Sequence, residues 1–321
     1  MAAMVTTLEP SGLLDGVRAG RPRAVGRLIS LVECSSPLVP GLVGALVGTT
    51  GRARVVGLTG SPGVGKSSAV GVLVARLRER GERVGVLAVD PTSPFSGGAV
   101  LGDRVRMQEH ALDRSVHIRS MATRGALGGL AAAVPAALRV LDAAGCDTTL
   151  VETVGVGQSE VAVASLADVT LVLLAPGAGD GVQLAKAGVL EVADVLVVTK
   201  SDTDGATALV RELRAMLAHG RPDRRTTGGW VPPVVALSSV GGTGVDDVLA
   251  AVAAFEEHSR ASGGWARRRT LRARGEVEQL VLAEVRARVP GGTGELDRLA
   301  AEVAAGTLDP YAAARDLLGA G

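Results

Sequence analysis

The sequence predicts an α/β protein: a doubly wound, mostly parallel sheet with a helical extension at each end. Three observations carry that prediction. Seven short apolar runs, many of them β-branched, lie at 54–59, 83–90, 116–121, 148–153, 169–175, 195–199 and 234–237. Helix-length segments separate most of them, which is the pattern of strands joined by crossover helices. Strands alternating with helices in this way imply a mostly parallel sheet covered on both faces. On either side of this region the pattern is helical, giving an N-terminal helical extension over 1–50, a sheet domain over 51–262 and a C-terminal helical arm over 263–321.

In chain order, Leu13, Leu14 and Val17, then Val25, Leu28, Ile29 and Val32, recur at helical spacing around a break at Gly20 and Pro22. They read as two short helices packing on a later core. A helix is expected over 68–80, directly after the first strand and the glycine-rich turn that follows it. Beyond Gly263 and Gly264, residues 265–289 read as a long helix stopped by Pro290 and its glycines, with shorter helices at 295–305 and 310–318. The long helix opens on Arg267, Arg268, Arg269, Arg272 and Arg274. That cluster reads either as a solvated helical face or as part of an interface. Leu271, Val277, Leu280, Val281, Leu282 and Val285 follow on the same helix, an apolar cluster suited to a dimer contact. No internal repeat is evident.

Composition narrows the classes of function. The chain has 321 residues, 47% of them hydrophobic, and a formal net charge of +1. A globular core is therefore expected, and no bulk attraction to nucleic acid or an acidic membrane surface. With only two Trp, one Tyr and two Phe, an aromatic platform for stacking single-stranded nucleic acid is excluded. The longest charge-free runs, 34–51 and 226–245, contain prolines and glycines and do not read as membrane spans. No basic region followed by an apolar stretch opens the chain, so a cytoplasmic protein with reduced Cys34 and Cys146 is expected. The four histidines have no metal-ligand spacing with each other or with cysteine.

The strongest chemical signal is G-S-P-G-V-G-K-S, made of Gly60, Ser61, Pro62, Gly63, Val64, Gly65, Lys66 and Ser67, with Ser68 beginning the helix. A strand before it and a helix after it are the context of a phosphate-binding P-loop. Glycines let the backbone curl until several N–H groups face one phosphate, and the helix N-terminus adds its positive end. Lys66 is then the β/γ-phosphate ligand and Ser67 the Mg²⁺ ligand. Carboxylates that support the metal are sought at strand ends: Asp90 and Glu152 qualify, and Asp103 lies on a glycine-rich loop. Glu152 opens E-T-V-G, which resembles the D-x-x-G element of GTPases and leaves Gly155 to offer its N–H to the γ-phosphate. After the sixth run comes T-K-S-D, with Thr199, Lys200 and Asp202. An Asp carboxylate there accepts from guanine N1 and N2, a pairing that adenine cannot supply, and the Lys200 stem covers the base. Ser238, Ser239 and Val240 follow the last run, where a backbone N–H can meet guanine O6.

Together these motifs resemble the methylmalonyl-CoA mutase-associated GTPases, the MeaB, ArgK-like and methylmalonic aciduria type A proteins. Stretches 89–107, 151–160 and 176–194 carry the resemblance most specifically. It implies a P-loop GTPase domain using GTP, GDP and Mg²⁺, a C-terminal dimerisation arm, and an adenosylcobalamin-dependent acyl-CoA mutase as partner. The GTPase would gate cofactor delivery to that mutase and protect it from inactivation. By matching positions, Ser67, Asp90, Asp103 and Glu152 serve the metal. The catalytic set becomes Lys66, Glu152, Gly155, Gln183 and Lys186, the last two on a third switch at 177–188. Departures from the family pattern are Ser68 for Thr, Thr199 for Asn, Gly181 for an acidic residue and Ser239 for Ala. Val156 follows Gly155 where Ras-like enzymes have a water-orienting Gln, so intrinsic hydrolysis is expected to be slow until a partner or dimer mate orders the switches. The competing readings are a GTPase that assembles another metallocentre, which should carry His- or Cys-rich segments, and a transport-coupled or kinase-like ATPase, against which T-K-S-D argues.

Overall fold

The structure, a computed structural model, describes residues 10–90, 110, 112–122, 133–153, 159–177, 189–220, 229–288 and 292–319. It divides into two compact units, Met1–Arg269 and Thr270–Gly321.

The first unit holds a seven-stranded sheet in the order β3-β2-β4-β1-β5-β6-β7. Its strands are β1 (Arg54–Thr59), β2 (Val84–Asp90), β3 (Val116–Ala122), β4 (Thr148–Thr153), β5 (Val169–Leu174), β6 (Val195–Val198) and β7 (Val234–Ala236). Every neighbouring pair is parallel, as strands alternating with helices imply. Helices α1 (Pro10–Arg18), α2 (Pro22–Glu33) and α3 (Val39–Gly44) precede the sheet. The first two match the N-terminal periodicity. The third, a six-residue helix with Pro40 in its first turn, is too short for a periodic signal.

Between and after the strands come α4 (Lys66–Glu79), α5 (Val134–Ala143), α6 (Ser159–Leu166), α7 (Val189–Val192), α8 (Ala206–Gly220) and α9 (Val245–Ala261). Alternate strand residues feed different cores. Val56, Leu58 and Leu171 pack with α4 and α9. Val55, Leu87 and Val151 pack instead with α1, α2 and α5. The sheet is therefore covered on both faces, which makes the fold doubly wound. The N-terminal helices contribute fully buried residues such as Val17 and Leu28 to this core. Arg119 of β3 also forms an ion pair with Glu33 of α2.

A duplicated device closes the N-terminal ends of β5 and β6. The tripeptide Ala-Asp-Val opens both strands, at 167–169 and 193–195. Asp168 donates its backbone N–H to the Val55 carbonyl at 2.8 Å and accepts the Val55 N–H on Oδ2 at 2.9 Å. Asp194 repeats the arrangement on Thr170, at 3.0 Å and 2.8 Å. Two consecutive arginines from α10 (Gly264–Arg288) then grip the two carboxylates. Arg268 donates from Nη1 and Nη2 to Asp194 at 2.6 and 2.7 Å. Arg269 donates from Nε and Nη2 to Asp168 at 3.0 and 2.8 Å. Their guanidiniums also lie over aromatic rings, Arg268 over Phe255 at 4.8 Å and Arg269 over Trp265 at 5.1 Å. Arg268 and Arg269 are thus tied to carboxylates of the sheet domain, whereas Arg274 pairs with Glu278 on the exposed helix. Spacing could not separate these cases, because the distinction depends on which carboxylates the fold brings to the helix.

The second unit contains the rest of α10, α11 (Gly292–Ala304) and α12 (Pro310–Leu317). Asp309 caps α12, accepting from the N–H groups of Tyr311 and Ala312 at 2.9 and 3.0 Å. Leu299 and Ala313 are its buried apolar residues. Leu271, Val277, Leu280, Val281, Leu282 and Val285 on α10 are exposed. Among the described residues no helix is long and apolar enough to cross a membrane.

Candidate functional site

The site is built at the C-terminal ends of β1, β4 and β6, where open parallel sheets hold their ligands. The chain leaves β1 through Gly60, at φ 145°. A Cβ at Gly60 would lie 2.3 Å from the Leu173 carbonyl oxygen, so only glycine lets the loop pass so close to β5. Gly63 and Gly65 have φ of 77° and 94°, the left-handed region that glycine enters without strain. Between them Val64 turns its side chain into the core, where it is 1% exposed. The loop is thus curled by its glycines and anchored by one valine.

Helix α4 starts at Lys66, two residues before the expected start, because the P-loop closes directly into its first turn. Gly65 at the N-cap has no side chain to cap the helix, so the first N–H groups of α4 are left to an anion. Lys66 and Ser67 are both buried. The Lys66 ammonium donates to the carbonyls of Gly60 at 2.7 Å and Ser61 at 3.0 Å, folding its charge over the loop. Ser67 Oγ donates to Glu152 Oε1 at 2.7 Å. Glu152 comes from β4, beside Leu58 of β1 and Ala88 of β2, and is buried. Hydroxyl, carboxylate and ammonium are therefore gathered at the mouth of one helix.

The T-K-S-D segment leaves β6 next door. Thr199 is 2% exposed; its Oγ1 lies 2.6 Å from the Val64 carbonyl and 3.0 Å from that of Leu174. Lys200 adopts φ 52°, a left-handed conformation uncommon for a side-chain-bearing residue and typical of binding loops. Asp202 Oδ1 accepts a hydrogen bond from Ser238 Oγ, and that bond holds its carboxyl below the usual range. Ser238 Oγ in turn accepts the Gly241 N–H at 3.1 Å, and the Ser238 backbone pairs with Thr243. Asp202 is thus ionised and aimed by a neighbouring loop.

The structure therefore brings together Lys66, Ser67 and Glu152, and joins Thr199 to the P-loop and Asp202 to Ser238. Asp90 ends β2, but its side chain lies outside the described residues, as do Asp103, Gly155, Gln183 and Lys186. Among the described residues, Ser68, Ser239 and Val240 make no side-chain contact that assigns them a role, and Val240 is 92% exposed. Sequence reasoning placed Ser238 near the base through its backbone. Its side-chain bond to Asp202 emerged only with the loops assembled.

Comparison with known proteins gives the same arrangement a family. Residues 25–293 match the family described as methylmalonyl-CoA mutase-associated GTPase MeaB. A Pyrococcus horikoshii protein named as a GTPase is 42% identical over 94% of this chain and 95% of its own. The mouse protein named methylmalonic aciduria type A homolog, mitochondrial, is 40% identical over 67% of this chain and 52% of its own. A crystal structure described as LAO/AO transport system kinase superposes with a TM-score of 0.69 at 27% identity, covering 98% of each chain. With a P-loop, a buried Ser67–Glu152 pair and an oriented Asp202 on a matching fold, the chain belongs to the methylmalonyl-CoA mutase-associated GTPase family, and it is a GTPase that binds GTP and GDP.

Proposed function

We propose that this GTPase serves an adenosylcobalamin-dependent acyl-CoA mutase, methylmalonyl-CoA mutase being the class its family name indicates. In this reading it gates delivery of the cofactor to the mutase and protects the loaded enzyme, in the cytoplasm and as a homodimer. The observation that carries the proposal is the family match across a chain whose P-loop and base loop are joined. The exposed apolar residues of α10 support the dimer.

The donor set suits Mg²⁺. A hydroxyl and a carboxylate 2.7 Å apart are hard oxygen donors, and Mg²⁺ in nucleotide sites takes few protein ligands besides phosphate and water. Ser67 would hold the ion, with Glu152, Asp90 and Asp103 supporting it and its waters. When bound, the ion would supply neutralisation of the charge that the phosphates carry. The chain's own residues do the rest. Lys66 exchanges its two carbonyl partners for phosphate oxygens. Gly155 offers its N–H to the γ-phosphate. Asp202 accepts from guanine N1 and N2 while Ser238 holds its other face. Because Val156 cannot orient water, hydrolysis is slow in the isolated protein, and the nucleotide state is the output.

Gln183 and Lys186 couple that state to the docked mutase. Coupling of binding is reciprocal: a nucleotide that favours docking is itself bound more tightly by the docked complex. Single-turnover hydrolysis of GTP with and without the cognate mutase tests this. The expected result is strong stimulation of the parent, largely lost in a Gln183→Ala/Lys186→Ala variant, and by a larger factor than any loss of its basal rate or GDP affinity. Equal stimulation of parent and variant would remove these residues from the mechanism.

A further inference from the structure

Thr199 stands where it could be counted among the groups that read the base, but its surroundings assign it another role. A threonine hydroxyl has a single proton. Two carbonyl oxygens compete for it, Val64 at 2.6 Å and Leu174 at 3.0 Å. Leu174 already accepts the Thr199 backbone N–H at 2.8 Å, so the shorter bond to Val64 takes the proton. Val64 is the residue that anchors the P-loop, buried between two left-handed glycines. Thr199 is itself 2% exposed, enclosed by the ends of β5, β6 and the P-loop.

Guanine offers two kinds of edge. Its N1–H and N2–H₂ groups are donors, suited to the Asp202 carboxylate. Its O6 and N7 are acceptors and can be read only by a donor. With its proton on Val64, Thr199 has nothing to donate to N7. We infer that Thr199 is a positioning residue that bolts the guanine loop to the phosphate loop, and that this protein selects guanine without reading N7. The inference rests on the guanine-site reading of T-K-S-D and deepens it. Selectivity comes from Asp202 at the donor edge, and Thr199 acts on affinity through the phosphates, whichever base is attached.

The test is competition binding to the full-length protein with GDP, 7-deaza-GDP (in which N7 is replaced by C–H) and ADP. The parent is expected to bind 7-deaza-GDP within about twofold of GDP, since no protein hydrogen bond is lost. Thr199→Val keeps the shape but removes the proton. It should weaken GDP and 7-deaza-GDP by the same factor, about five- to tenfold, the loss of one ordinary hydrogen bond. Thr199→Ser, which restores the hydroxyl, should recover parental affinity. A merely structural role would lower the melting temperature of the valine variant without this parallel loss. Should the valine variant fail to fold, the parent's ratio for the two guanine nucleotides still decides. Discrimination against 7-deaza-GDP of about tenfold or more in the parent, the value of a read hydrogen bond, would overturn the inference while leaving guanine selection intact. Equal binding of ADP and GDP would instead remove the guanine-site reading and the inference with it.

Discussion

At His117 the ring is buried on edge strand β3, its Nε2 has no hydrogen-bond partner among the described residues, and Arg83 lies close enough to repel an imidazolium. Burial, and secondarily Arg83, hold its pKa below the ordinary 6.5. The folded protein therefore resists a proton that the unfolded chain accepts. The sign follows: this site favours folding fully above pH 6.5, and its contribution is lost as the pH falls below that value toward the folded pKa. His117→Phe removes the titration. The variant should lose less melting temperature than the parent between pH 7.5 and about 5.5, a window chosen around the free imidazole value. An identical loss in both proteins would show that His117 contributes nothing to acid sensitivity. The contrast with the nucleotide site is instructive. Lys66, Ser67 and Asp202 were legible in the sequence because P-loop and base-loop chemistry fixes both residue type and spacing. His117 lies in a mixed run, and only the assembled fold puts its side chain out of reach of solvent.

Between elements, the paired aspartates and arginines show where sequence reasoning stopped. Strands, and most helices, were visible from apolar patterning, because each must bury a face whatever its partner. The tripeptide Ala-Asp-Val occurs twice in the sequence, but its meaning needed the register of β5 against β1 and of β6 against β5. Each Asp spends backbone and carboxylate on the adjacent strand, and the remaining negative charge calls for a cation. Buried ion pairs add little net stability compared with an apolar replacement, but removal of one partner leaves the other charged and desolvated. Arg268→Leu should therefore destabilise the first unit by on the order of 2–3 kcal/mol, the discount from a fully buried pair reflecting the partial exposure of the arginine. Asp194→Asn in the same background should recover part of the loss by removing the stranded charge. A double-mutant cycle in urea measures this, and strict additivity of the two substitutions would mean that the pair carries no coupling.

For the whole molecule, the same arginines decide where the chain can be cut. The glycines at 263–264 mark a compositional break, and the compact units divide a little further on, after Arg269, inside α10. The reason is physical: the first turns of α10 carry Trp265, buried against the sheet domain, and the two arginines that neutralise Asp168 and Asp194. A chain ending at 264 loses all three and leaves two carboxylates, each 5% exposed or less, without Arg268 and Arg269. A chain ending at 269 keeps them and removes the exposed apolar residues of the arm. The two truncations differ by five residues, far too few for length alone to matter. Residues 1–269 should fold cooperatively, bind GDP with near-parental affinity and run as a monomer by light scattering, whereas 1–264 should melt at a markedly lower temperature. Dimeric 1–269 would place the self-association surface in the sheet domain rather than on the arm. Equal melting of the two truncations would show that the sheet domain tolerates Asp168 and Asp194 without the α10 arginines, and that the attachment of α10 is incidental to the stability of the GTPase domain.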